Sequence, residues 1–127
     1  MIKLGIVGFG YWGKSLVTNF NNLSSCELKY VCENNPSNAK KYSSLCPNVN
    51  VVDNLKILMY EKEITGIAAN PLDTHYNLTK IAFENGKNVL VEKPLTNSFN
   101  ESKEWVELGK KKGKLFIVDH TFCIQIL

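Results

Sequence analysis

Short apolar runs and amphipathic segments alternate along the chain. Apolar runs bounded by turn residues predict buried strands, and apolar positions three or four residues apart predict helices. Strands are predicted over residues 2–7, 28–32, 49–52, 64–68, 89–91 and 115–118. Helical spacing of apolar residues follows each of the first five strands, for instance at Leu16, Val17 and Phe20. This alternation predicts a single α/β domain, a doubly wound parallel sheet of six strands with helices on both faces.

Cap and turn residues add local detail to this pattern. Residues 34–37, Asn-Asn-Pro-Ser, predict a turn, and the second helix is expected over residues 39–45. Asp53 is the expected N-cap of the third helix. Asn85 and Gly86 are expected to end the fourth helix.

Three glycines connect the first strand to the first helix. Gly8, Gly10 and Gly13 have the spacing G-x-G-x-x-G, which alone is a weak signal because glycines gather in turns for steric reasons. Between a strand and a helix, however, this spacing is typical of dinucleotide-binding folds, in which the helix N-terminus holds a pyrophosphate. Glu33 strengthens the interpretation, because it lies 20 residues after Gly13 at the end of the second strand, where such folds place the acid that binds ribose.

Other polar residues follow the later strands. Residues 70–75 come after the fourth strand, Glu92 and Lys93 after the fifth, and Asp119 and His120 after the sixth. In open parallel sheets, ligands bind outside the carboxyl ends of the strands. Packing or capping by His75, and simple exposure of Lys93, are the alternative interpretations of single residues; their common position at one edge of the sheet favours a binding site.

Three motifs together resemble the N-terminal domain of the glucose–fructose oxidoreductase/inositol dehydrogenase (Gfo/Idh/MocA) family. They are Gly-Phe-Gly-Tyr-Trp-Gly at 8–13, Pro-Leu-Asp-Thr-His-Tyr at 71–76 and, most specifically, Val-Glu-Lys-Pro-Leu at 91–95. The resemblance covers residues 1–122 and implies a Rossmann fold. It also implies an NAD(P)-dependent oxidoreductase acting on a hydroxyl of a sugar, a nucleotide sugar or a cyclitol. Residues 123–127 would then begin a link to a substrate domain, so that the chain is expected to be truncated and inactive alone.

The resemblance also implies a role for individual residues. Lys93 is the catalytic candidate, whereas His120, the other candidate base, is interpreted as part of an interdomain hinge. Position 70 departs slightly from the family pattern, since many members have threonine there. The residues expected to contact the cofactor are Gly8, Phe9, Gly10, Tyr11, Trp12, Gly13, Glu33, Asn70, Pro71, His75, Glu92 and Lys93.

Two finer expectations concern the cofactor and the backbone. Glu33 and the lack of any arginine in the chain favour NAD over NADP, because a carboxylate repels a 2′-phosphate that no arginine is present to bind. Lys40 and Lys41 are close enough in sequence to soften this preference. The Lys93–Pro94 peptide bond is expected to be cis, on the basis of the resemblance and of its place after a strand end.

Composition excludes several other classes of protein. The net charge of +3 is modest, and the lysines at 110–112 and 114 lack interleaved aromatics, which argues against nucleic-acid binding. No apolar run approaches the ~20 residues that cross a bilayer, and the N-terminal residues form a strand rather than a signal peptide. The four cysteines lack zinc-ligand spacing, so no metal is expected. They are expected to be reduced thiols of a cytoplasmic protein. Apolar residues among 122–127 favour self-association, and a homo-oligomer is therefore a further expectation.

Two other functions compete with that of an enzyme domain. An NAD(H)-sensing regulatory or interaction module would have the same glycine turn and perform no chemistry. A methyltransferase would share a similar turn but gives no reason for Glu92, Lys93 and Pro94.

Overall fold

The computed structural model describes residues 1–8, 12–69, 75–96 and 98–119. Within them, strands and helices alternate as the hydrophobic pattern predicts. The strands are β1 (Ile2–Val7), β2 (Cys26–Cys32), β3 (Asn50–Val52), β4 (Gly66–Ala69), β5 (Asn88–Glu92) and β6 (Phe116–Asp119). The helices are α1 (Gly13–Asn22), α2 (Pro36–Leu45), α3 (Leu55–Tyr60), α4 (His75–Glu84) and α5 (Phe99–Lys112).

All six strands belong to one parallel sheet in the order β3-β2-β1-β4-β5-β6. The chain moves outward in one direction from β1 to β3, then returns to the centre and moves in the other direction from β4 to β6. This is the strand order of a dinucleotide-binding doubly wound fold. The predicted fold class is confirmed.

Two apolar clusters form the core, one on each face of the sheet. Val17 of α1 and Tyr42 of α2 pack with β-strand residues such as Val31 on one face. On the other face, Leu58 of α3 and Phe83 of α4 belong to the second cluster. The ring of Trp105 in α5 meets Phe116 of β6 edge to face, with centroids 5.4 Å apart, and so attaches α5 to the edge strand.

Helix starts differ most from the sequence predictions. Helix α2 begins at Pro36 rather than at residue 39, because Asn35 caps it by accepting hydrogen bonds from the Ser37 and Asn38 backbone N–H groups at 2.9 and 3.2 Å. The prediction that Asp53 caps α3 is wrong. Asn54 accepts the hydrogen bond from the Lys56 N–H group at 3.0 Å, because the N-cap directly precedes the first helical residue, here Leu55.

Strand and helix ends shift by smaller amounts. Strand β4 begins at Gly66 rather than Ile64, and β6 extends to Asp119. The predicted end of α4 is confirmed: Gly86 has φ 73°, and the Lys87 N–H group donates to the Ala82 carbonyl at 2.9 Å. Of the helices that the structure describes, not one is both long and apolar enough to span a membrane.

Candidate functional site

Several of the predicted ligand-binding residues that the structure describes lie along the carboxyl edge of the sheet. Strands β1 and β4 are neighbours at the centre of the sheet, and the helices that follow them, α1 and α4, belong to clusters on opposite faces. This position is the switch point of the sheet, and doubly wound folds bind their ligands at such a point. Gly8, Glu33 and Glu92 all lie at this edge.

Gly8 starts the turn that leads from β1 to α1. Its φ of 77° lies in the left-handed region, which disfavours residues with a Cβ atom. Its N–H group donates to the Cys32 carbonyl at 3.0 Å, so the turn begins firmly attached to β2. The residues after Gly8 that would complete the predicted tight turn, 9–11, lie outside the described residues.

The N-terminus of α1 suits an anion. The N-cap is Trp12, whose side chain makes no capping hydrogen bond, and the first turn contains no acidic residue. Asparagine side chains cap α2 and α3, whereas α5 also lacks a side-chain cap but has Glu101 in its first turn. Gly13, the first residue of α1, is buried, as expected for a glycine that lets helix and strand pack closely. The uncapped N–H groups and the positive end of the helix dipole can therefore hold a pyrophosphate.

Glu33 follows β2 beside an open cleft. Its N–H group donates to the Val52 carbonyl at 2.8 Å, and its Oε1 accepts from the Asn35 N–H group at 2.8 Å. The carboxylate is thus held at the rim of a cleft of about 500 Å³, lined by Glu33, Asn34, Pro36, Ala39, Val51, Val52, Asp53 and Ile57. A cleft lined by both apolar and carboxylate side chains suits an adenosine, whose aromatic base packs on apolar surface and whose ribose donates hydrogen bonds.

Glu92 is the last residue of β5, and Lys93 and Pro94 follow it at the same edge of the sheet. Glu92 is buried, with 7% of its surface exposed, whereas Lys93 is exposed. The Glu92 carboxylate accepts a hydrogen bond from the Lys93 backbone N–H group. The Lys93–Pro94 bond is cis, as predicted.

A second carboxyl group lies beside Glu92. Strand pairing places Glu92 opposite Asp119 of β6, and the two side chains share a hydrogen bond. Burial, and next the negative charge of Asp119, raise the pKa of Glu92, while Lys93 partly offsets the shift. Such a pair favours one shared proton over two negative charges.

Several predicted site residues lie outside the described residues, namely Phe9, Gly10, Tyr11, Asn70, Pro71 and His120. His75 is the first residue of α4, and the structure describes only its backbone. The expected boundary after residue 122 also lies outside. In the described ranges, no group of three or more His, Cys, Asp and Glu side chains is arranged to hold a metal ion.

Sequence reasoning missed the position of Asp53 and the pairing of Asp119. Asp53, expected to cap a helix, instead lines the same cleft as Glu33. Its place directly after a strand, like that of Glu33, was the available signal. Asp119 was expected at the carboxyl edge, but only the register between β5 and β6 reveals Glu92 as its partner.

Comparison with known proteins identifies the family. Residues 2–120 match the Gfo/Idh/MocA family model, described as an oxidoreductase family with an NAD-binding Rossmann fold. The chain belongs to this family. Gfo/Idh/MocA membership agrees with the strand order and with the glycine turn followed by an uncapped helix, and it confirms the resemblance found in the sequence.

Two relatives and one solved structure illustrate what the chain is similar to. The uncharacterized oxidoreductase YdgJ of Escherichia coli is 32% identical over 94% of this chain and 34% of its own length. The 2,7-anhydro-N-acetylneuraminate hydratase of E. coli is 30% identical over 94% of this chain and 32% of its own. The biliverdin reductase of Synechocystis, solved with biliverdin and NADP⁺, superposes with a TM-score of 0.88 at 26% identity, over 94% of this chain and 38% of its own. The chain therefore spans about a third of the length of these relatives.

Proposed function

We propose that residues 1–127 bind NAD(H), in preference to NADP(H), as the cofactor-binding part of an oxidoreductase that acts on a hydroxyl of a sugar, nucleotide sugar or cyclitol. The observation that carries the proposal is the arrangement at one sheet edge of the Gly8 turn, the uncapped N-terminus of α1 and the Glu33 carboxylate. Membership of an NAD-binding family supports it.

Each part of the edge has a task in the proposed function. The Gly8 turn and α1 hold the pyrophosphate, and Glu33 accepts hydrogen bonds from the adenosine ribose. When bound, the nicotinamide accepts or donates the hydride. The Lys93 ammonium orients the reacting hydroxyl and stabilises the negative charge that develops on its oxygen.

The sugar substrate is supported less directly than the cofactor. One relative acts on 2,7-anhydro-N-acetylneuraminate and a structural neighbour binds biliverdin, so relatives of similar identity differ in the compound they bind. The sugar hydroxyl in the proposal follows from the family resemblance around Glu92 and Lys93.

Fluorescence titration of the 127-residue chain with NADH tests the proposal. Trp12, 39% exposed at the N-terminus of α1, provides an emission signal beside the expected pyrophosphate site. We expect saturable binding, weaker for NADPH than for NADH. Tighter binding of NADPH would contradict the preference, and no binding of either nucleotide would contradict the proposal.

A matched pair of glycine variants separates the site from general stability. Gly8→Ala and Gly86→Ala both force a Cβ into the left-handed region, at φ values of 77° and 73°, and each should destabilise the fold by about 1–2 kcal/mol. Only Gly8 lies at the carboxyl edge. We therefore expect weaker NADH binding for Gly8→Ala and unchanged affinity for Gly86→Ala.

Turnover is not expected from the 127 residues alone. Hydride transfer needs the sugar held at attack distance and its proton taken by a positioned base, effects worth about 7–11 kcal/mol and about 10²–10⁴-fold respectively. The family resemblance places both in a second domain. Incubation with a panel of sugars and nucleotide sugars, followed by NADH absorbance, should show no reaction; turnover that Lys93→Ala abolishes would overturn this expectation.

A further inference from the structure

Glu33 and Asp53 are the first residues after two neighbouring strands, β2 and β3. Cys32 of β2 pairs with Val52 of β3, and the Glu33 N–H group donates to the Val52 carbonyl at 2.8 Å. Asp53 is the first residue after β3. Because adjacent strands lie about 4.8 Å apart, the two carboxylates emerge next to each other at the carboxyl edge.

The Asp53 carboxylate is not used to cap the following helix. Asn54 caps α3, and the exposed Asp53 instead lines the same cleft as Glu33. Burial raises the pKa of the Cys32 thiol, and the charges of Asp53 and Glu33 raise it further. Both acids thus act electrostatically on the same point, the end of β2.

The remaining lining of the cleft offers no compensating cation. The other described lining residues are Asn34, Pro36, Ala39, Val51, Val52 and Ile57. Lys40 and Lys41 are exposed on α2, but they are not among the residues that line the cleft. An anionic group entering the described cleft therefore meets two carboxylates and no lining lysine.

We propose that Asp53 is a specificity-determining residue, a second carboxylate that acts together with Glu33 to exclude the 2′-phosphate of NADP(H). This inference rests on the proposed function, because it requires the adenosine ribose to lie in this cleft. Glu33 accepts hydrogen bonds from the ribose, whereas Asp53 contributes chiefly charge. Removal of Glu33 alone should then leave a residual barrier against NADPH.

The size of the effect follows from the Coulomb repulsion between the Asp53 carboxylate and the 2′-phosphate in a solvent-exposed cleft. A phosphate monoester carries nearly two negative charges. A single carboxylate several ångströms away in a solvent-exposed cleft should therefore raise the dissociation constant of NADPH about five- to tenfold. Salt screens such an interaction. The discrimination due to Asp53 should therefore decrease as ionic strength increases.

The experiment compares the dissociation constants of NADH and NADPH for wild type, Asp53→Asn, Asp53→Ser, Glu33→Gln and the Asp53→Asn/Glu33→Gln double variant. We expect both Asp53 variants to shift the ratio toward NADPH about five- to tenfold at low salt, and the double variant to shift it further than Glu33→Gln alone. Glu84→Gln removes the same charge at the exposed C-terminal end of α4 and should leave the ratio unchanged.

The outcomes separate this inference from the proposed function. If wild type binds NADH but the ratio changes less than about twofold in both Asp53 variants, well short of the Coulomb expectation, the inference is wrong and the proposed function stands. A shift that persists undiminished at high salt would also contradict it, because the effect would then not be electrostatic. If wild type binds neither nucleotide, the proposed function and the inference both fail.

Discussion

Glu92 is the most constrained ionisable residue of the candidate site. It is buried at the end of β5, accepts a hydrogen bond from the Lys93 N–H group and shares another with Asp119. A glutamine has the shape and hydrogen-bonding pattern of the protonated glutamic acid. It can therefore replace the neutral form of Glu92 without the charge that burial and Asp119 oppose.

Glu92→Gln is expected to stabilise the fold increasingly as pH rises. The folded pKa of Glu92 lies above its ordinary value of 4.5, so the folded state binds more protons than the unfolded state between these two values. The free energy of unfolding of wild type therefore falls as pH rises through this window. The variant lacks this loss, which amounts to about 1.4 kcal/mol for each pH unit that the window spans.

Urea denaturation between pH 4 and 8 measures the effect. The difference in unfolding free energy between Glu92→Gln and wild type should grow through the window and then level off. Glu107→Gln, an exposed replacement in α5, serves as the control. A difference that does not vary with pH would show that Glu92 is not held in its neutral form by its surroundings.

At the level of elements, the close approach of α3 to β1 depends on Gly5. A Cβ atom built on Gly5 would lie 2.8 Å from Leu58 Cδ2 and 3.3 Å from Ile67 Cδ1. Leu58 is fully buried, so its side chain has little room to move. We expect Gly5→Ala to lower the free energy of unfolding by about 1–3 kcal/mol, the range for overpacked cores.

Gly109 provides the matched control within the same fold. A Cβ atom there would meet Phe83 Cζ at 3.4 Å, an ordinary contact, inside the helix α5. Because alanine favours a helix over glycine by about 1 kcal/mol, Gly109→Ala should be neutral or stabilising. Equal losses in the two variants by thermal denaturation would refute the steric explanation for Gly5.

The sequence predicted the existence and type of every described element, but not all of their ends. Apolar spacing reflects which residues face the core, and it therefore locates the middle of an element well. The start of α2 depends instead on Asn35 accepting two backbone hydrogen bonds, and the start of α3 on Asn54 rather than its neighbour Asp53. Two adjacent residues that can both cap a helix cannot be told apart by hydrophobic pattern.

At the scale of the whole molecule, the site was predictable where one stretch of chain contains it. The glycine turn, Glu33 and the Glu92-Lys93-Pro94 segment each stand out in the sequence. Contacts between strands were not predictable in the same way. The neighbours Glu33 and Asp53, and the pair Glu92 and Asp119, depend on strand order and register, and these are set by packing across the whole sheet.

An open apolar groove lies on one face of the sheet among the described residues. Strand register places Leu90 of β5 beside Ile117 of β6, and both line an open groove of about 330 Å³ with Leu4, Phe20 and Leu23. Leu115 and Ile117 are 68% and 55% exposed. Contiguous apolar surface of this kind is typical of a surface that associates with another surface.

We predict that the 127-residue chain self-associates through this face as its concentration rises. Ile117→Lys places a charge at the centre of the exposed strand, where burial against a second copy would be costly, and should shift the chain toward monomer. Tyr60→Lys adds the same charge on α3, where Tyr60 is 69% exposed, and should not. Sedimentation velocity over a range of concentrations measures both. A wild type that stays monomeric throughout, or equal dissociation in the two variants, would mean that this face does not drive association.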